Sequence, residues 1–390
     1  MSRVLEIKDE EILLMGLCRP SFSHEQSEKI KGLAEKVTDW KHLVSLSNEH
    51  GIAALVYNNL LNLGLLDKLP ADSASFLRNA RLLNISRNAF HLTAIEELLG
   101  LLDRENVKVV LLKGMALEFS VYGNSGLRQM TDIDILIGRE DYIKVRRVMM
   151  ENGYDSLPVK SGLHKPIIAW TGKHLPSMLR NGVSIDIHLE LFPGKMNRLT
   201  RMLYEGSVEI EAEGRKVLIP PPQLAFLFLV KHLHTHELND ESQLRLYADL
   251  LFMLDRYRDD IINYRLLENA SAAGMLKVLA WKLEPLRDLW GEKFPDWLDT
   301  FIDKWFVPDS INRFIFFLKS PKGNRPARPG YVYRQILRDI PGLHRKLLYI
   351  LGDLFPTVDF MKERYGCSNS IKVLFYYPLR LGKLARLFMR

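Results

Sequence analysis

Residues 107–138 read VKVVLLKGMALEFSVYGNSGLRQMTDIDILIG, and their alternation of pattern decides the fold class. Val107 to Leu112 is a β-branched and leucine run too short for a helix, and it ends at Lys113-Gly114. A helical stretch from Met115 to Val121 follows, then a loop through Gly123, Asn124, Ser125 and Gly126. Asp132-Ile133-Asp134-Ile135-Leu136-Ile137 reads as a second strand, closed by Gly138. Residues two apart on a strand share a face, so Asp132 and Asp134 project together, about 7 Å apart along the chain, while Ile133 points the other way. Two carboxylates at that spacing raise each other's pKa unless a cation joins them, and hard divalent ions such as Mg²⁺ favour such oxygens. An exposed edge strand with acidic alternate positions gives the same local pattern.

Outward from this stretch, residues 140–151 form an amphipathic helix with Tyr142, Val145, Val148 and Met149 inward. Val183 to Leu191 alternates Ile185, Ile187 and Leu189 against Asp186, His188 and Glu190. Laid beside the first acidic strand, it supplies a third carboxylate, Asp186. Residues 208–212 and 216–219 flank Glu213-Gly214-Arg215, a hairpin signature. The block 106–221 is thus strands mixed with helices, with antiparallel pairs in its sheet. Residues 1–105 read as helical, with His50, Asn58 and Asn59 as satisfied or surface polar groups. Pro220-Pro221-Pro222 opens a helical segment, 222–390, with helices expected over Leu224–His236, Leu244–Tyr257 and Ala272–Leu289 and an exposed loop over Pro321–Gly330. The expectation is an α+β chain: a mixed-sheet core between N- and C-terminal helical segments.

At Lys113-Gly114 a strand gives way to a helix. Backbone N–H groups at a helix start bind phosphate, glycine permits close approach, and Lys113 adds a positive charge. Arg128 can clamp a phosphate oxygen or pair with a carboxylate. His188 and Glu190 share the face of Asp186 and reach acceptor, metal or solvent; His174 lies just upstream. His232 and His236 stand one helical turn apart, a spacing that suits zinc, a cleft-lining helix end or plain structure.

The order strand, glycine turn, helix, Asp-x-Asp strand, third-aspartate strand resembles the DNA polymerase β-like nucleotidyltransferase superfamily. Within it, residues 111–138 with GVSIDIHLEL (182–191) resemble the bacterial uncharacterised nucleotidyltransferase family. DWKHLVSLSNEHGIAALVYNNL (39–60), PPPQLAFLFLVKHLHTHE (220–237) and RLYADLLFML (245–254) extend the likeness into the flanks. The resemblance implies a polymerase β-like core and Mg²⁺-dependent nucleotidyl transfer. Asp132, Asp134 and Asp186 would hold two Mg²⁺ ions, and Lys113, Gly114, Arg128 and His188 would serve the nucleotide triphosphate. ATP is the favoured donor, and a small molecule or sugar hydroxyl the favoured acceptor. A toxin-like transferase modifying tRNA or protein is the alternative enzyme, and a non-catalytic nucleotide-binding regulator the alternative outside catalysis. The superfamily's glycine is usually followed by serine, whereas Gly114 is followed by Met115, which brings no hydroxyl; Lys113 offers a compensating charge.

Composition narrows the classes further. The 390 residues are 47% hydrophobic and 26% charged, which excludes a disordered or fibrous chain. Cys18 and Cys367 are the only cysteines, so no disulfide framework exists and a reducing cytoplasm fits. MSRVLEIKDEEILLMG lacks the basic start and unbroken apolar run of a signal peptide, and no stretch reaches the ~18 apolar residues of a membrane span. No phosphate loop of the Gly-x₄-Gly-Lys-Ser/Thr type and no Gly-x-Ser-x-Gly elbow is present. The formal charge of +7 is unevenly spread. Residues 319–390 hold 15 Lys+Arg against 4 Asp+Glu, a surplus of +11, which leaves residues 1–318 at −4. Such a tail is a solvated helical face, or it meets a polyanion or a membrane surface.

Overall fold

The computed structural model describes residues 7–123, 126–156, 160–164, 175–192, 197–238, 241–307, 310–321, 337–338, 340, 342–367 and 369–388. Among the described residues, helices and seven strands in parallel and antiparallel pairs make it α+β. The chain divides into two compact units. The first comprises residues 1–94, 111–131 and 201–325; the second comprises 95–110, 132–200 and 326–390.

In the second unit five strands lie in the order β3 (Asp155–Ser156), β4 (Met178–Arg180), β5 (Val183–His188), β2 (Ile133–Ile137), β1 (Val109–Leu111). Strands β2 and β5 pair in parallel, with Ile133 opposite Ile185, Asp134 opposite Asp186 and Leu136 opposite His188. The pairs β3–β4 and β4–β5 are antiparallel. The register follows from burial. Ile133, Ile135 and Ile137 of β2 and Ile185 and Ile187 of β5 are all buried, and a one-residue slip would turn one set to the opposite face. The helix Tyr142–Glu151 buries Val145, Val148 and Met149 as its period requires. Tail helices span Leu343–Leu354, Val358–Tyr365, Ser370–Leu374 and Tyr376–Phe388.

In the first unit the helices Asp9–Gly16, His24–Ala34, Trp40–Glu49 and Ala53–Asn62 come from the N-terminal part. Ser23 and Gln26 cap the second of these reciprocally, the Gln26 amide N–H donating to Ser23 Oγ at 3.2 Å and the Ser23 N–H to Gln26 Oε1 at 2.9 Å. The hairpin β6 (Val208–Ala212) to β7 (Arg215–Ile219) turns at Glu213 and Gly214, which take φ of 52° and 74° as a two-residue primed turn demands. Pro222–Leu238 and Leu244–Ile261 follow as expected. The helix read over 272–289 starts later, at Leu276, and ends at Asp288, while Ala272 closes a separate preceding helix, Arg265–Ala272. Gly274 stands between them at φ 67°, a left-handed conformation that continues no helix. The strand read to Leu191 stops at His188, and residues 322–330 of the expected loop lie outside the described residues.

His50 is a buried, satisfied histidine. Its Nδ1 accepts the Leu244 N–H at 3.0 Å and its Nε2 donates to the Leu318 carbonyl at 2.9 Å. Burial pushes its pKa down to about 4 against a weaker opposing pull from that carbonyl. Asn59 is buried too, and its amide donates to the carbonyls of Leu17 and Arg19, both at 2.8 Å. Among the described residues no helix is long and apolar enough to cross a membrane.

Candidate active site

The alternation of β2 and β5 turns isoleucines to one face and acids to the other, and the parallel register sets those acids side by side. Asp132, Asp134 and Asp186 each offer a carboxylate oxygen, and the three oxygens lie within 4.8 Å of one another. Asp134 is buried, while Asp132 and Asp186 are half-buried. Among the described residues this is the one group of three or more His, Cys, Asp or Glu side chains placed to hold an ion. Its donors are all hard oxygens, the set preferred by Mg²⁺, Ca²⁺ or Mn²⁺ rather than by zinc. Three carboxylates so close would repel strongly without a cation between them. The residues therefore fit a divalent ion.

His188 reaches this cluster sideways. Its Nε2 donates to Asp134 Oδ1 at 2.7 Å, and the ring is buried rather than solvated. A ring nitrogen held on a carboxylate fixes that carboxylate's orientation, the arrangement that tunes metal ligands from outside. Glu190, beyond the end of β5, forms an ion pair with Arg139 at 3.2 Å. His174 lies outside the described residues.

Lys113, Gly114 and Arg128 belong to the first unit. Lys113 has φ 44°, a left-handed conformation unusual for a side chain with Cβ, at the point where β1 ends and the helix Lys113–Leu117 begins. Gly114 is packed so closely that a Cβ would lie 2.6 Å from Arg128 Nη1 and 3.1 Å from Met130 Cγ and Sδ. Of the two readings of Arg128, the structure displays the carboxylate pair. Its Nε and Nη2 donate to Asp249 Oδ1 and Oδ2 at 2.8 and 2.9 Å, with both side chains buried. Burial would lower the Arg128 pKa, but the Asp249 charge outweighs it and raises it instead. The Tyr122 hydroxyl donates to the same Asp249 oxygen at 3.0 Å, and Asn88 donates to the Arg128 carbonyl at 3.1 Å.

Asp249 escaped the sequence reading, although its place inside the apolar run RLYADLLFML is a signal, because a buried acid there must find a cation. His232 and His236 meet edge to face at 4.5 Å and belong to no three-ligand group among the described residues. Burial lowers the His236 pKa; Glu241 opposes this, while Lys113 and Arg245 add to it, so the helix end lies within electrostatic reach of the Lys113 turn.

Comparison with known proteins comes to bear on this geometry. The model of a family described as uncharacterised nucleotidyltransferase matches residues 36–290, most of the chain. No curated protein matches. Among solved structures, the chain is similar to a crystal structure of ANT(2″)-Ia in complex with adenylyl-2″-tobramycin, at 12% identity and a TM-score of 0.35, covering 47% of this chain and 98% of that one. It is also similar to an antigenic nucleotidyltransferase-like protein from Paracoccidioides brasiliensis, at 14% identity and a TM-score of 0.33, covering 52% of this chain and 92% of that one.

Proposed function

Because the chain belongs to the uncharacterised nucleotidyltransferase family, we propose that it moves a nucleoside monophosphate from an NTP, with ATP favoured, to a hydroxyl of a small molecule or sugar. The observation that carries this reading is the meeting of Asp132, just before β2, with Asp134 and Asp186 on the adjacent parallel strands β2 and β5. In this reading residues 106–221 form the catalytic core, flanked by helical segments 1–105 and 222–390, and the reaction runs in the cytoplasm.

Asp132, Asp134 and Asp186 would hold Mg²⁺, as two ions; when bound, the metal neutralises charge on the phosphates and polarises the α-phosphoryl group. The acceptor oxygen attacks the α-phosphorus in line and its proton passes to the Asp186 carboxylate. The bond from the α-phosphorus to the oxygen bridging the β-phosphorus breaks, and pyrophosphate leaves. His188 positions Asp134 through the bond to Oδ1. The Lys113 ammonium and the backbone beside Gly114 bind phosphate oxygens. Arg128 keeps its carboxylate partner and braces the turn through its contact with Gly114.

The test is incubation with each α-³²P-labelled NTP, Mg²⁺ and a cell extract, followed by separation of products by size. Label on small molecules, lost in Asp132→Ala/Asp134→Ala, is the expected result. Label on tRNA or protein would replace the acceptor class. If no product is labelled and neither Mg²⁺ nor any NTP shifts the melting temperature, the chain does not transfer nucleotides as proposed.

A further inference from the structure

The tail helix Leu343–Leu354 fully buries none of its leucines. A surface helix normally buries its apolar stripe and turns polar residues to water. Here Gly352 and Asp353 are the buried positions. Asp353 pairs with Lys160, and its carbonyl accepts from Arg380 Nε and Nη2 at 3.1 Å. The His164 ring stacks on Tyr349 with centroids 4.6 Å apart, while its Nε2 donates to the Tyr349 carbonyl at 3.0 Å. Gly352 makes room for that ring, since a Cβ would lie 2.5 Å from His164 Cδ2. Asp353 and the backbone beside Gly352 are thus held inward. Leu343, Leu347 and Leu351, spaced four apart on one stripe, face outward at 73%, 51% and 42% exposure, and Phe355 continues the line at 58%. Farther along the tail, Phe375 and Leu379 are exposed as well. Of 25 large apolar side chains exposed among the described residues, ten lie between 343 and 381, so exposed apolar side chains are concentrated in the tail. A row of exposed apolar side chains of this kind marks a contact site.

We propose that this tail docks in the plane of an anionic membrane surface, its leucines and phenylalanines entering the headgroup boundary and its cations meeting lipid phosphates. Charge chooses the occupant. The segment 319–390 carries a surplus of +11, so a second copy would bring two strongly positive segments together, which costs rather than stabilises. RNA would satisfy the cations but would leave the leucine stripe in water. An anionic bilayer satisfies both. The 12-residue helix is only about 18 Å long, too short to span a bilayer and suited to lying in its interface. This inference does not depend on nucleotidyl transfer, and a failure of either reading leaves the other standing.

The test uses the full chain in flotation assays with vesicles of phosphatidylcholine alone and of phosphatidylcholine with about one third phosphatidylglycerol, an anionic fraction within the range that recruits basic amphipathic segments. Binding to the anionic vesicles, weakened when salt rises from 0.05 to about 0.5 M, is expected. Leu347→Glu/Leu351→Glu should lower the partition coefficient about tenfold or more, because two apolar anchors are lost. Both side chains already face outward, so the melting temperature should stay within a degree or two of the parent. Equal flotation of parent and double variant, or no flotation at low salt, overturns the proposal. So does a parent that light scattering finds dimeric and a variant that it finds monomeric, since the stripe would then be covered by a second copy.

Discussion

His188 and Asp249 each act on one neighbouring side chain of opposite or complementary character. The bond from His188 Nε2 to Asp134 Oδ1 orients a candidate metal ligand. Under the proposed function His188→Ala should lower kcat and apparent Mg²⁺ affinity about 10- to 100-fold, as losses of this kind do, while a purely structural role would move the melting temperature alone. Titrating activity against Mg²⁺ separates the two. Asp249 neutralises Arg128 in the interior. Asp249→Ala strands a buried guanidinium and should cost about 3–5 kcal/mol in urea unfolding. A loss under 1 kcal/mol would mean that the pair is not what holds Arg128 in place. The sequence displays the acids of the candidate site, since strand alternation is a property of neighbouring residues. It does not display either partner, because His188 meets Asp134 across two strands and Arg128 meets Asp249 across 121 positions of chain.

At the scale of the element, the turn at Lys113-Gly114 combines a strained backbone with tight packing. Lys113→Gly relieves the left-handed penalty of about 1 kcal/mol while adding some unfolded-state entropy, so stability should hold or rise slightly. Under the proposed function the same change lowers NTP turnover, because the ammonium is gone. A variant that is as stable as the parent and as active would remove Lys113 from the phosphate site. Gly114→Ala drives a methyl into Arg128 and Met130, and calorimetry should find a loss of about 1–3 kcal/mol. The strand-turn-helix order itself is legible from apolar run lengths and glycine. The left-handed conformation of Lys113 is not, since sequence offered no glycine there to announce it.

For the molecule as a whole, pH acts through groups such as His50, whose folded-state pKa near 4 lies below the ordinary value of about 6.5. The unfolded chain takes up a proton between those values that the folded chain refuses. The stabilisation is complete above pH 6.5 and is lost as pH falls, by about 2 kcal/mol at pH 5. Urea midpoints at pH 7 and pH 5 should differ accordingly, and the difference should shrink in His50→Gln. No shrinkage would show that other groups carry the acid sensitivity. Charge also separates along the chain, −4 over residues 1–318 and +11 beyond, and under the proposed membrane docking the outward leucine stripe gives that basic tail a use.

Periodicity and residue chemistry alone establish the α+β class, the acidic face of β2, the alternation of β5 and the basic tail, because each depends on residues close together in the chain. Helix and strand periods, glycine stops and charge counts are local quantities. Folding in three dimensions sets the parallel pairing that places Asp186 opposite Asp134, turns His188 inward onto a carboxylate, and spends Arg128 on Asp249. It also rolls Leu343–Leu354 so that Asp353 is buried and the leucines are not. These outcomes depend on which distant segments share a neighbourhood, and a buried charge accepts whichever partner topology brings within reach.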